Sequence, residues 1–215
     1  MSWLWCLLRY AYHYLLRRAE SDFPLTTITQ QLPDALPVET WFGSRFSELD
    51  PALQALHRHG GVLRGLATIK VGNGVAGIVG SRLAKKLGVH TGQNLLTVTI
   101  RNAENGLHWS RKFNESKEIH SLFKPHGTIN SGYWTETTGV LTLKLNVSTE
   151  SSGWHWHQIS TCIFGLRMPK WLCPKVSAYK QIVAGEYLFF VAIAFPMIGE
   201  VLQYTGRLNS ASLAP

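Results

Sequence analysis

The chain has 215 residues, 45% hydrophobic and only 16% charged, enough for one sizeable core with an appendage and too few to argue for two independent domains. Eight Trp, nine Phe and seven Tyr exclude a disordered chain, which could not leave so many aromatic rings unburied. The 21 Lys and Arg against 13 Asp and Glu make the surface field positive and favour anionic partners: lipid headgroups, acidic small molecules or nucleic acid.

Residues 1–18 come first. Trp3, Trp5, Leu8 and Leu15 lie in an apolar, aromatic stretch that Arg9 and His13 interrupt, short of the ~20 apolar residues of a spanning helix. The charge of Arg17 and Arg18 follows the apolar stretch and no Ala-x-Ala-like site appears, so a cleaved export signal is not expected. Arg9, His13 and Arg17 share the i, i+4, i+8 spacing that puts a basic stripe opposite a Trp, Leu and Tyr face on a helix. Two readings stand side by side: an amphipathic helix in an anionic membrane interface, with Trp3, Trp5, Leu8, Arg9, Leu15, Arg17 and Arg18 in contact, or a helix docked on the domain's own core.

Residues 19–49, with Pro24, Pro33 and Pro37 and no sustained period, read as a linker or wrapping arm. A short helix is expected next, from Asp50 as N-cap and Pro51 at the first helical position to a stop at Gly60-Gly61. From 62 onward the pattern is a succession of strands, predicted at 62–71, 94–103, 107–114, 117–124, 129–137, 139–149, 153–164, 176–184, 186–195 and 199–208. One helix, 75–87, intervenes after the first. Leu141, Leu143, Leu145 and Val147 alternate with polar residues, the period of a strand with one wet face. Short Asn, Glu, Gly and Ser connections at 103–106 and 150–153 suit antiparallel hairpins. The predicted fold is therefore mostly β (α+β): a single domain over 50–210 with a curved antiparallel sheet, barrel-like in the calycin/lipocalin manner because closure removes exposed edges.

Gly72-Asn73-Gly74-Val75-Ala76-Gly77 spells G-x-G-x-x-G after a strand. A dinucleotide site also needs a parallel β-α-β unit and an acid about twenty residues on, and 92–101 holds no Asp or Glu. The glycines are better explained by close helix packing. Trp154-His155-Trp156-His157 places two imidazoles on one strand face, two ligands without a third. Cys6, Cys162 and Cys173 are odd in number and lack Cys-x-x-Cys spacing, so no disulfide framework or zinc site is indicated and a reducing, cytoplasmic compartment is expected. The basic pairs Arg17-Arg18, Lys85-Lys86 and Arg111-Lys112 are dispersed and no nucleic-acid-binding signature accompanies them, which makes nucleic acid the weakest of the three partners. No catalytic signature, cofactor or metal is assigned.

Trp109, Arg111 and Phe113 share one strand face, as do Trp134 and Glu136 on another strand. Should the aromatics point inward, Arg111 must follow and would need a carboxylate, for which Glu136 is the best placed. Such a pair in an aromatic-lined interior could bind an anionic or polar headgroup, with His120 and Ser121 as weaker candidates. The alternative is an exposed Arg111 covering the aromatics with its stem.

Several stretches together, Pro51-Ala52-Leu53-Gln54-Ala55-Leu56-His57, Trp109-Ser110-Arg111-Lys112-Phe113, Gly165-Leu166-Arg167-Met168-Pro169-Lys170-Trp171-Leu172-Cys173-Pro174, and Phe195-Pro196-Met197-Ile198-Gly199 with Tyr204-Thr205-Gly206, resemble the bacterial family called domain of unknown function 4166. That resemblance covers residues 50–210 and matches the family pattern at His57, Trp109, Arg111, Phe113 and Glu136. Its members often follow a Rossmann domain similar to saccharopine dehydrogenase, which implies a separately encoded oxidoreductase as partner, holding any cofactor. The leading expectation is a non-catalytic module for an apolar or amphipathic small molecule at the inner membrane surface, with Trp109, Arg111, Phe113, His120, Trp134 and Glu136 as its site. An accessory domain or subunit of a dehydrogenase-type enzyme is the alternative, and a purely structural interaction domain the third.

Overall fold

Alternation of apolar and polar residues shapes nearly every strand of the computed structural model, which describes residues 37–210. The strands are β1 (Gly61–Val71), β2 (Gly92–Ala103), β3 (Gly106–Phe113), β4 (Ile119–His126), β5 (Tyr133–Thr138), β6 (Leu141–Ser148), β7 (Trp154–Ile163), β8 (Leu166–Arg167), β9 (Lys175–Val183), β10 (Glu186–Phe195) and β11 (Gly199–Ser210). Each of β1 to β7 pairs antiparallel with the next, β7 pairs with β9, and β11 returns to β1. The result is a closed ten-stranded antiparallel barrel, with the two-residue β8 attached only to β7. The ten predicted strands are these ten. The fifth begins at Tyr133, later than 129, because Gly132 and Ser131 donate their N–H groups back to the Thr128 carbonyl in a tight turn.

Among the described residues, three α-helices accompany the barrel. Residues 37–48, expected within an irregular arm, form helix α1 (Pro37–Phe42) and a 3-10 turn (Gly43–Glu48), and their Val38, Trp41, Phe42 and Phe46 are buried. Six residues are too few to display a helical period, which is why the sequence shows none there. Helix α2 (Pro51–His59) begins as expected: the Asp50 carboxylate accepts from the Ala52 N–H at 2.8 Å, and Gly60 ends the helix with φ of 72°. Helix α3 (Gly74–Leu87) follows β1. A Cβ at Gly72 would strike the Glu200 carbonyl and one at Gly80 the Val201 carbonyl, so these glycines let α3 lie directly on β11. Its flanking strands β1 and β2 are antiparallel neighbours, which is the opposite of a dinucleotide-binding crossover.

The barrel is packed unequally. At the end where β1 begins, α1, the 3-10 turn and α2 fill the opening. Trp41 meets Trp134 edge-on with centroids 5.5 Å apart, Phe42 meets Trp154 at 4.7 Å, and Trp134 meets Trp154 at 5.6 Å. All four rings are buried, and the Trp41 Nε1–H donates to the His126 carbonyl at 3.1 Å. In the other half the inward-facing Ile119, Leu141, Val176, Val191 and Ile193 pack against the core yet keep part of their surface exposed. The barrel is thus plugged at one end, while its other, solvent-reached end, the cup, mixes these partly exposed side chains with the buried Ile69, Leu96, Phe113 and Leu202.

Candidate ligand site inside the barrel

Register carries Arg111 into the cup. Trp109, Arg111 and Phe113 stand opposite Ile100, Val98 and Leu96 of β2, all buried apolar residues, so the face they share points inward. Arg111 Nη2 donates to Glu136 Oε1 at 3.0 Å, and both side chains retain little exposure, 18% and 16%. The same nitrogen also donates to Ser121 Oγ, which in turn lies 2.5 Å from Thr138 Oγ1. Burial works against the guanidinium charge, but Tyr204 and Glu136 outweigh it and the Arg111 pKa rises; burial raises that of the Tyr204 phenol against the pull of Arg111. Two donors on this strand face remain without an acceptor: Arg111 Nε and Trp109 Nε1, both buried. Buried donors left unpaired are expensive, and Trp134 Nε1 and Trp154 Nε1 toward the plugged end are unpaired in the same way.

A second polar pair lies deeper. Lys180 of β9 stands opposite Trp154 and Phe189, is 2% exposed, and its Nζ is 2.6 Å from Nε2 of the equally buried His57 on α2. The Nζ also lies 3.9 Å from the ring centroid of Trp154 and 4.4 Å from that of Trp109. Burial pulls the Lys180 pKa well below the ordinary lysine value, with Glu136 opposing; burial and then Lys180 push His57 well below the ordinary imidazole value, with a hydrogen bond to Leu53 opposing.

Not every predicted site residue joins these groups. His120 sits one residue out of phase with Ser121, and its exposed ring points outward, 3.6 Å from Glu118; strand alternation removes it from the interior. Trp134 is fully buried, packed edge-on against Trp41 of the plug and against Trp154 and Trp156. Phe113 is buried edge-on against Tyr204 at 5.9 Å and supports the wall. His155 and His157 face outward, where His155 stacks on Tyr179 at 5.3 Å and His157 Nε2 lies 2.8 Å from Ser148 Oγ. Among the described residues no group of three or more His, Cys, Asp or Glu converges as a metal site, and no helix is long and apolar enough to cross a membrane. The membrane-contact residues Trp3 to Arg18 lie outside the described residues.

Sequence reasoning missed Lys180 and reached His57 and Tyr204 only through resemblance. The signal for Lys180 was present: it falls in phase with Val176, Ala178 and Ile182, the apolar face of its strand.

Fold and interior together define a calycin-like barrel that carries ionisable groups within an aromatic wall. The model of the family described as domain of unknown function (DUF4166) matches residues 49–208, and the chain belongs to that family. No curated protein matches it.

Proposed function

We propose that the chain is a non-catalytic binding module that takes an amphipathic small molecule into the cup, its polar oxygen-bearing end at Arg111 and Trp109. The observation that carries this reading is the partial exposure of the inward apolar Ile119, Leu141, Val176, Val191 and Ile193 at the end of the barrel opposite α1 and α2. The orphaned Arg111 Nε and Trp109 Nε1 add a chemical preference for an acceptor headgroup. The leader's basic and aromatic pattern supports a position at anionic membranes.

A brominated long-chain fatty acid tests the reading, because bromine quenches nearby indoles and Trp109 and Trp156 both border the exposed half. Saturable quenching is expected. The double variant Arg111→Met with Glu136→Gln, which leaves no lone charge behind, should weaken it about tenfold, or ~1.4 kcal/mol. Absence of saturable quenching, together with no small molecule retained through native mass spectrometry, would remove the proposal.

A further inference from the structure

The Lys180–His57 pair has the arrangement of an activated nucleophile and its base. The Leu53 carbonyl lies 2.7 Å from His57 Nδ1 and can only accept, so Nδ1 carries the ring proton and Nε2 offers its lone pair to Lys180 at 2.6 Å. Stacking on Trp154, with centroids 4.7 Å apart, fixes the imidazole plane. A nucleophile within hydrogen-bond reach of a base that a third group orients is the general signature of covalent chemistry. A lysine whose charge mattered only for stability would be expected to contact a carboxylate directly; here the hydrogen-bond partner is an imidazole. Burial favours the free amine, and Glu136 moderates that effect.

The surroundings suit a carbon electrophile. Trp109, Trp154 and Trp156 present their rings to the Nζ, at 4.4, 3.9 and 5.7 Å, and aromatic faces stabilise a cationic nitrogen such as a protonated imine. Ala178, two residues along the same inner face, is small and half-buried, and Trp109 and Trp156 are half-buried beside the amine.

We propose that Lys180 captures an aldehyde-bearing amphiphile as an imine, with His57 as the proton relay. The Nζ lone pair adds to the carbonyl carbon and the carbonyl π pair moves to oxygen. Both amine protons pass through His57 Nε2 to that oxygen, which leaves as water as the C=N bond forms. The step consumes one amine and one aldehyde, releases one water, and needs no oxidant or reductant. This inference rests on the cup accepting a ligand.

Decanal and borohydride, applied to the full chain and followed by peptide mass spectrometry, test it. The expected result is one reduced adduct at Lys180, formed at least about tenfold faster than at the exposed Lys112 and Lys117. Lys180→Arg should abolish the adduct, and His57→Gln should slow it about a hundredfold. Decanol, which cannot form an imine, is run in parallel as a competitor of the brominated fatty acid. Displacement by decanol with labelling spread evenly over the lysines overturns the imine and leaves ligand binding standing; failure of both overturns both. The wild-type labelling pattern decides the matter even if a variant does not fold, and an unchanged rate in folded His57→Gln removes the relay role.

Discussion

Arg111 and Glu136 hold each other in a place neither would occupy alone. Removing one partner leaves an uncompensated charge among aromatic rings, whereas removing both leaves a polar but neutral wall. A cycle of Arg111→Met, Glu136→Gln and the double variant, followed by urea denaturation, should show a coupling of about 1–3 kcal/mol, and a value below about 0.5 would mean independent residues. His57 and Lys180 make stability depend on pH with one sign. An unfolded histidine gains its proton near pH 6.5 while the folded one resists, so the stability due to neutral His57 is complete above that pH and lost below it. An unfolded lysine keeps its proton to about pH 10.4, while burial makes folded Lys180 release it earlier, so stability climbs with pH between the folded value and about 10.4. Urea midpoints should therefore rise with pH, each group contributing at most about 1.4 kcal/mol per pH unit. Lys180→Met should flatten the alkaline limb, and an unchanged slope would show that burial does not perturb this lysine.

At the level of elements, α3 depends on the absence of side chains where it crosses β11. Gly80→Ala should raise intrinsic helix propensity by about 1 kcal/mol, yet its methyl would strike the Val201 carbonyl. Overpacking against backbone wins, for a net loss of about 1–3 kcal/mol in thermal or urea unfolding; a stabilised variant would mean that α3 can lift from the strand. The strands themselves were legible because their two-residue period survives wherever one face meets the core, as at Leu143, Leu145 and Val147. The Asp50-Pro51 start and Gly60 stop of α2 were legible because capping is local chemistry. Residues 37–48 were not: their burial depends on Trp41 and Phe42 finding Trp134 and Trp154, which lie far along the chain. The site followed the same division. Alternation along one strand places Arg111 inside, but the His57–Lys180 contact joins residues 123 positions apart through the closure of the whole barrel. A single strand carries no record of that partner.

For the whole molecule, the leader's basic and aromatic pattern predicts attachment to anionic membranes, with each Arg worth about 1 kcal/mol near an acidic surface. In liposome flotation with anionic vesicles the full chain should rise with the lipid and a chain lacking residues 1–18 should stay below. Equal flotation of the two would assign the leader to the protein core.

Both ends of the described chain emerge at the same pole. Ser210 closes β11 opposite Leu63, at the start of β1, and the Trp41 carbonyl of α1 accepts from the Ile129 N–H in the turn between β4 and β5, also beside the plugged opening. The flanking segments therefore join the described domain beside the plugged opening. On the proposed reading, anything attached through those segments would meet the barrel first at its plugged end rather than at the partly exposed one.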